Sequence, residues 1–286
     1  MKNITIAVYA ALMLSIFNSC TEDYPIDLSG VEPMLVVSGS ISTDTMTHTV
    51  ILTKSQDYFE NKPFEGISSA TVTISDGSKE FILLEDPNKK GYYRTAKNVF
   101  GEVGKTYTLS ISNVDINKDG VYETYTASSK LNFVPSIDSI EIEKTRRFSQ
   151  TQWVIKMTTT DPGDTRDFYL LKILKNNVLI SDSLEEWGIS DDEFFNGKTL
   201  KSYPTMTLSD QKKDEIVNDK DIITLEMSAV TKDYVYYINE VMEEIRGRNP
   251  LFGSTPANVR TNISNGAQGY FAAYAITRKS TVYHEK

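Results

Sequence analysis

Few side chains in this sequence of 286 residues are of the kind that carry out chemistry, and they are spread unevenly. Its one cysteine, Cys20, sits in "FNSCTEDYPI", between an apolar segment and an acidic one. A single cysteine excludes a disulfide within the chain. Behind a greasy run and directly after Ser19, it suits another chemistry: attachment of a diacylglyceryl group to sulfur. A thiol so acylated is lost as a nucleophile and as a metal ligand. His48 and His284 are the only histidines, and neither belongs to a zinc pattern. The chain has no G-x-S-x-G elbow, phosphate-binding loop or dinucleotide fingerprint. Among 39 acidic residues no pair stands out for glycoside chemistry; "DPGD" (Asp161–Asp164) and "SDD" (Ser190–Asp192) read as turns and solvated loops. "DINKDG" places Asp115, Asn117 and Asp119 at alternate positions before Gly120, as in a calcium loop, but Thr126 stands where the closing Glu belongs. A hairpin turn explains the same letters, so turn and calcium site both stay open. No catalytic residue, cofactor or metal site is assigned, and the chain is not expected to be an enzyme.

The residues before Cys20 explain its position. Lys2 precedes an apolar run from Ile4 to Phe17. One positive charge followed by roughly 14 mostly apolar residues matches a secretory leader, and is short of the about 20 that a membrane span needs. Asn18-Ser19 makes a poor ordinary cleavage site but suits a bacterial lipoprotein leader over residues 1–19, with Cys20 as the lipid attachment point. A plain secretory leader with an idle thiol, or a buried N-terminal helix, are the alternatives. Each lipid methylene buried contributes about 0.8 kcal/mol, and one acyl chain alone holds weakly. The two or three chains of a lipoprotein cysteine, palmitate among them, would anchor stably. The acidic "TED" that follows is no polybasic anchor; it resembles the signal that sends Bacteroidota lipoproteins to the outer face of the outer membrane.

The rest of the chain reads as a folded, mainly β body. It is 40% hydrophobic and 24% charged, with a net charge of −9. That composition is globular, and its acidity argues against nucleic acid as a partner. Residues 20–32 form a tether, with Pro25 inside it and Pro33 just past its end. Residues 33–135 then alternate in the manner of strands, from "MLVVSGSI" through "ATVTISDG", with its Asp76-Gly77 hairpin signal, to "TYTLSISNV" and "VYETYTASSKLNF". At least seven short strands without a helix imply an Ig-like antiparallel β-sandwich domain.

Pro135 marks a boundary, and residues 136–286 form a second β-rich domain. Trp153, Ile155 and Met157 alternate as core positions, and Asn176-Asn177 reads as a turn. From Ser183 to Thr207 the pattern loosens into an insertion or a ligand-facing rim bearing Trp187, Phe194, Phe195 and Tyr203. Near 232–247 Val235, Ile238, Met242 and Ile245 recur at helical spacing, with Asp233 as N-cap and Gly247 and Pro250 as the stop. The run Tyr270–Val282 reads as a closing strand. The fold class is therefore mainly β: tandem antiparallel β-sandwich-like domains, the second carrying one main amphipathic α-helix.

Six stretches, in order, carry a resemblance: "CTEDYPID", "EPMLVVSGSI", "VILTKS", "GYYR…GEVGKTYTLSI", "TDPGDTRDFY" and "NISNGAQGYF". Together they make nearly the whole chain after the leader similar to the Bacteroidota lipoprotein family known as domain of unknown function 4249. The resemblance brings no catalytic residues. It implies a lipid-anchored outer-membrane protein facing the extracellular side, acting as a binding or accessory subunit of a TonB-dependent nutrient uptake system, with a β-barrel receptor as partner. The alternative is a structural or adhesive fimbria-related lipoprotein, in which "GYFAAYAITRKSTVY" would serve as the strand donated to a neighbour.

Overall fold

Residues 32–56, 62–246 and 259–285 are described by the computed structural model. The leader, Cys20 and all but the last residue of the tether lie outside them, as do Gly247 and Pro250. In the first half β1 (Leu35–Ser42), β2 (Thr49–Lys54), β3 (Thr71–Ser75), β4 (Glu80–Glu85), β5 (Tyr92–Arg94), β6 (Thr106–Val114) and β7 (Glu123–Lys130) follow one another without a helix. The alternation read from the sequence sets their faces. In β6, Tyr107, Leu109 and Ile111 are buried while Thr106, Thr108 and Ser110 look outward.

The second half contains β8 (Ile137–Arg147), β9 (Gln150–Thr160), β10 (Phe168–Lys175), β11 (Val178–Leu179), β12 (Gly188–Asp191), β13 (Thr199–Ser209), β14 (Ile222–Val230), α1 (Lys232–Ile245) and β15 (Gln268–Val282). Phe148-Ser149 and Asn176-Asn177 close two hairpins with positive φ at both residues, the twist-matched turn that two-residue loops favour. Twelve strands form one sheet, β11-β10-β14-β15-β1-β2-β5-β4-β3-β6-β7, with β12 also pairing with β10; β13-β9-β8 form a second. The fold is thus predominantly β, with one α-helix among the described residues, as the sequence implies.

Two apolar cores meet at Val134. The first is built from β1–β7 but takes in Ile263, Ala267, Phe271, Ala273 and Ala275 from the far end of the chain. The second fills the space between the three-stranded sheet and β10-β14, with Trp153, Ile155 and Met157 facing Leu171, Leu225 and Met227. Trp153 is a core residue, as its alternation implies.

The sequence pattern makes β15 a closing strand; the fold does not. It is an interior strand, antiparallel to β14 and parallel to β1. Residues 268–274 pair with β1 and residues 275–282 with β14, so the strand is paired within its own chain along its whole length. Its imperfect alternation follows from burial on both faces. Phe271, Ala273 and Ala275 enter the first core, while Tyr270 and Tyr274 lie beneath α1. Close approach to β1 also fixes Gly269: φ is +98°, and a Cβ there would stand 1.9 Å from the Val37 carbonyl oxygen.

α1 begins at a different cap from the one expected. Thr231, not Asp233, is the N-cap, and its side chain accepts from the Tyr234 N–H. Val235 and Ile238 bury their side chains against Phe168, Leu170 and Val230, about 1.5–3 kcal/mol for each such residue. Ile245, assigned to the same stripe, is exposed.

Candidate functional site

The site grows out of one end of β9. Its inward positions Trp153, Ile155, Met157 and Thr159 are buried, and the next in that alternation is Asp161. Asp161 is therefore carried into the interior, only 3% exposed. The loop Asp161–Asp167 leads to β10 and returns Asp167 to the same place. β12, held antiparallel to β10, delivers Asp192 one residue past its end. The Asp192 N–H donates to the Asp167 carbonyl oxygen, fixing the two loops together.

These three aspartates converge, with one oxygen of each lying within 4.8 Å of the others. Asp161 is well supplied with donors: Tyr169 Oη at 2.8 Å, Gly197 N at 3.0 Å and Gly163 N at 3.3 Å. Asp167 accepts from Thr165 Oγ1 at 2.9 Å. Asp192 is fully buried, and among the described residues neither side-chain oxygen has a donor. Burial, reinforced by the neighbouring Asp161 and Asp192, raises the Asp167 pKa from its ordinary value. Burial and the bond to Asp161 drive the Tyr169 hydroxyl well above its usual value, so it is a donor and not a base.

Beside this cluster lies a cavity of about 160 Å³ between the two sheets. Its floor is apolar, with Met157, Leu171 and Met227; Thr159, Asp161 and Tyr169 form a polar wall. Phe195 and Tyr203, from the stretch read as a rim, line it as well. Its size resembles an engineered cavity of about 150 Å³ that accepts benzene, so it has room for a small group.

A second polar constellation braces the sheet. Arg278 bridges Asp44 and Glu226, and Glu226 stands opposite Lys172 across the β10–β14 pair. The Lys172 ammonium lies 3.8 Å over the Trp187 ring, and burial lowers its pKa. Burial likewise lowers that of His48, whose Nε2 meets the Val99 carbonyl.

The acids that matter here depart from what their local sequence implies. "DPGD" and "SDD" are not simply solvated loops, since Asp161 and Asp192 are buried. The signal for Asp161 lies in the period-two pattern of β9, which continues through Thr159 to Asp161. The Asp115–Gly120 stretch, by contrast, is a turn between β6 and β7. Asp115 accepts from the Asp119 and Gly120 N–H groups, and Asp119 accepts from Val121. Phe194 is exposed and Phe195 packs inward.

A family model described as Domain of unknown function (DUF4249) matches residues 21–280. No curated protein matches the chain.

Proposed function

The chain belongs to the DUF4249 family, and from that premise we propose that it is a non-catalytic lipoprotein of the outer cell surface, a binding or accessory subunit of a TonB-dependent nutrient uptake system. The observation that carries this reading is the N-terminal sequence: an apolar run ending at Phe17, Cys20 three residues later, and the acidic Glu22 and Asp23 close behind it. Acyl chains on Cys20 hold the protein in the outer leaflet, and the acidic pair directs it outward. A rigid β body on such a tether suits capture, because loops positioned by a scaffold present a recognition surface.

The uptake role is tested by solubilising native membranes mildly and isolating the tagged full chain. A large β-barrel receptor recovered at a fixed ratio is the expected result. Repeated isolation of the protein alone, or as filaments, would refute the accessory role and favour a structural one.

A further inference from the structure

The Asp161–Asp167–Asp192 cluster poses a physical problem that lipid anchoring does not address. Two of its three carboxylates are buried, and Asp192 has neither a hydrogen-bond donor nor a cationic neighbour among the described residues. A buried carboxylate without a partner is strongly unfavourable, and packing two more beside it adds repulsion. The nearby cations are committed elsewhere. Arg166 pairs with Asp191 and Glu193, and Lys198 Nζ donates to the Phe194 carbonyl.

We propose that Asp161, Asp167 and Asp192 bind one divalent cation, of the hard, oxygen-preferring class of calcium and magnesium. All three side chains offer oxygen and none offers sulfur or nitrogen, which selects this class over zinc or copper. Two oxygens each about 2.4 Å from a shared calcium ion stand no more than about 4.8 Å apart, and the three carboxylates meet that limit. The donors on Asp161 come from Tyr169 and from two glycine N–H groups, which orient that carboxylate as outer-shell groups orient a ligand. The unpartnered Asp192 is aimed into the cluster and finds its missing partner in the ion.

The ion has a structural consequence. It joins the loop before β10 to the segment after β12, where Gly163 and Gly197 already approach so closely that a Cβ on Gly163 would stand 2.7 Å from the Gly197 Cα. Asp161 is also part of the cavity wall. The cation therefore fixes that wall, and the site works whether or not the chain is lipid-anchored.

The test uses the full chain, purified in detergent and stripped with a chelator that is then removed. Calcium is titrated calorimetrically, magnesium in parallel, and thermal unfolding is followed with and without each ion. The expected result is one ion per chain and a rise in midpoint, with affinity reduced at least about tenfold in Asp192→Asn and in the more exposed Asp167→Asn. Asp192→Asn should also lose the rise in midpoint that the ion gives the wild type. Asp115→Asn, in the β6–β7 turn, should leave ion binding unchanged. No saturable binding of either ion by folded wild type would overturn the proposal. So would binding that survives in both cluster variants or is abolished by Asp115→Asn.

Discussion

Gly269 shows how one residue type can decide a strand pairing. At φ of +98°, with the Val37 carbonyl in the space a Cβ would fill, it admits no side chain without movement of β1 or β15. Gly269→Ala should destabilise the protein by roughly 2–3 kcal/mol, seen as a lower midpoint in urea unfolding at unchanged slope. Asp76 acts through charge. Its carboxylate accepts from the backbone of Lys79 and Ser78 and from Lys105 Nζ. Those bonds, the Lys79 one foremost, hold its pKa far below the usual range. A depressed folded-state value means that the stabilisation is present at and above the ordinary carboxylate range and is lost as pH falls below it. Asp76→Asn should cost roughly 1 kcal/mol near about pH 7, discounted because its partner Lys105 is partly exposed, and the gap to wild type should narrow near about pH 3. Asp76-Gly77 was legible in the sequence because a turn is local chemistry. Asp161 and Asp192 were not, since their burial is set by strands that meet only in the folded chain.

Among the elements, the β8–β9 hairpin carries visible strain. Phe148 is 87% exposed and sits at φ of +47°, a conformation that costs a bulky residue about 1–2 kcal/mol. Its cation–π contact with Arg147 is exposed and returns about 0.5 kcal/mol. Replacing Phe148-Ser149 by Asn-Gly should therefore raise stability by about 1 kcal/mol, read as a higher midpoint in urea; a lower one would show that Phe148 contributes packing in the folded protein. The regular strands and α1 could be read from their periods. β13 could not. It is an edge strand of its sheet that contains Pro204, has Ser202 at φ of +46° and shifts register twice against β9. Each irregularity breaks the alternation by which a strand is recognised, and an edge position is where proline and bulges are tolerated. The stretch consequently looks like a loose rim in the sequence, and part of it does line the cavity.

For the whole molecule, the long-range pairing of β15 with β1 ties the ends of the described chain together. Nothing local announces a parallel pair between strands so far apart in the chain. It also means that residues 33–135 lack part of their own core, namely Ile263, Ala267, Phe271, Ala273 and Ala275. That segment expressed alone should fail to unfold cooperatively and should expose apolar surface to a dye, whereas residues 33–286 should show one sharp transition. A cooperative, dye-free fragment would contradict the shared core. Tethering of the body outside the cell by its one cysteine is tested by incorporation of labelled palmitate, followed by membrane fractionation, in wild type and Cys20→Ala. Anchoring through Cys20 predicts a labelled wild type that sediments with outer membranes and is digested by protease added to intact cells, and an unlabelled variant that leaves the membrane fraction. An unlabelled wild type, or a variant retained in the membrane as fully as wild type, would contradict it.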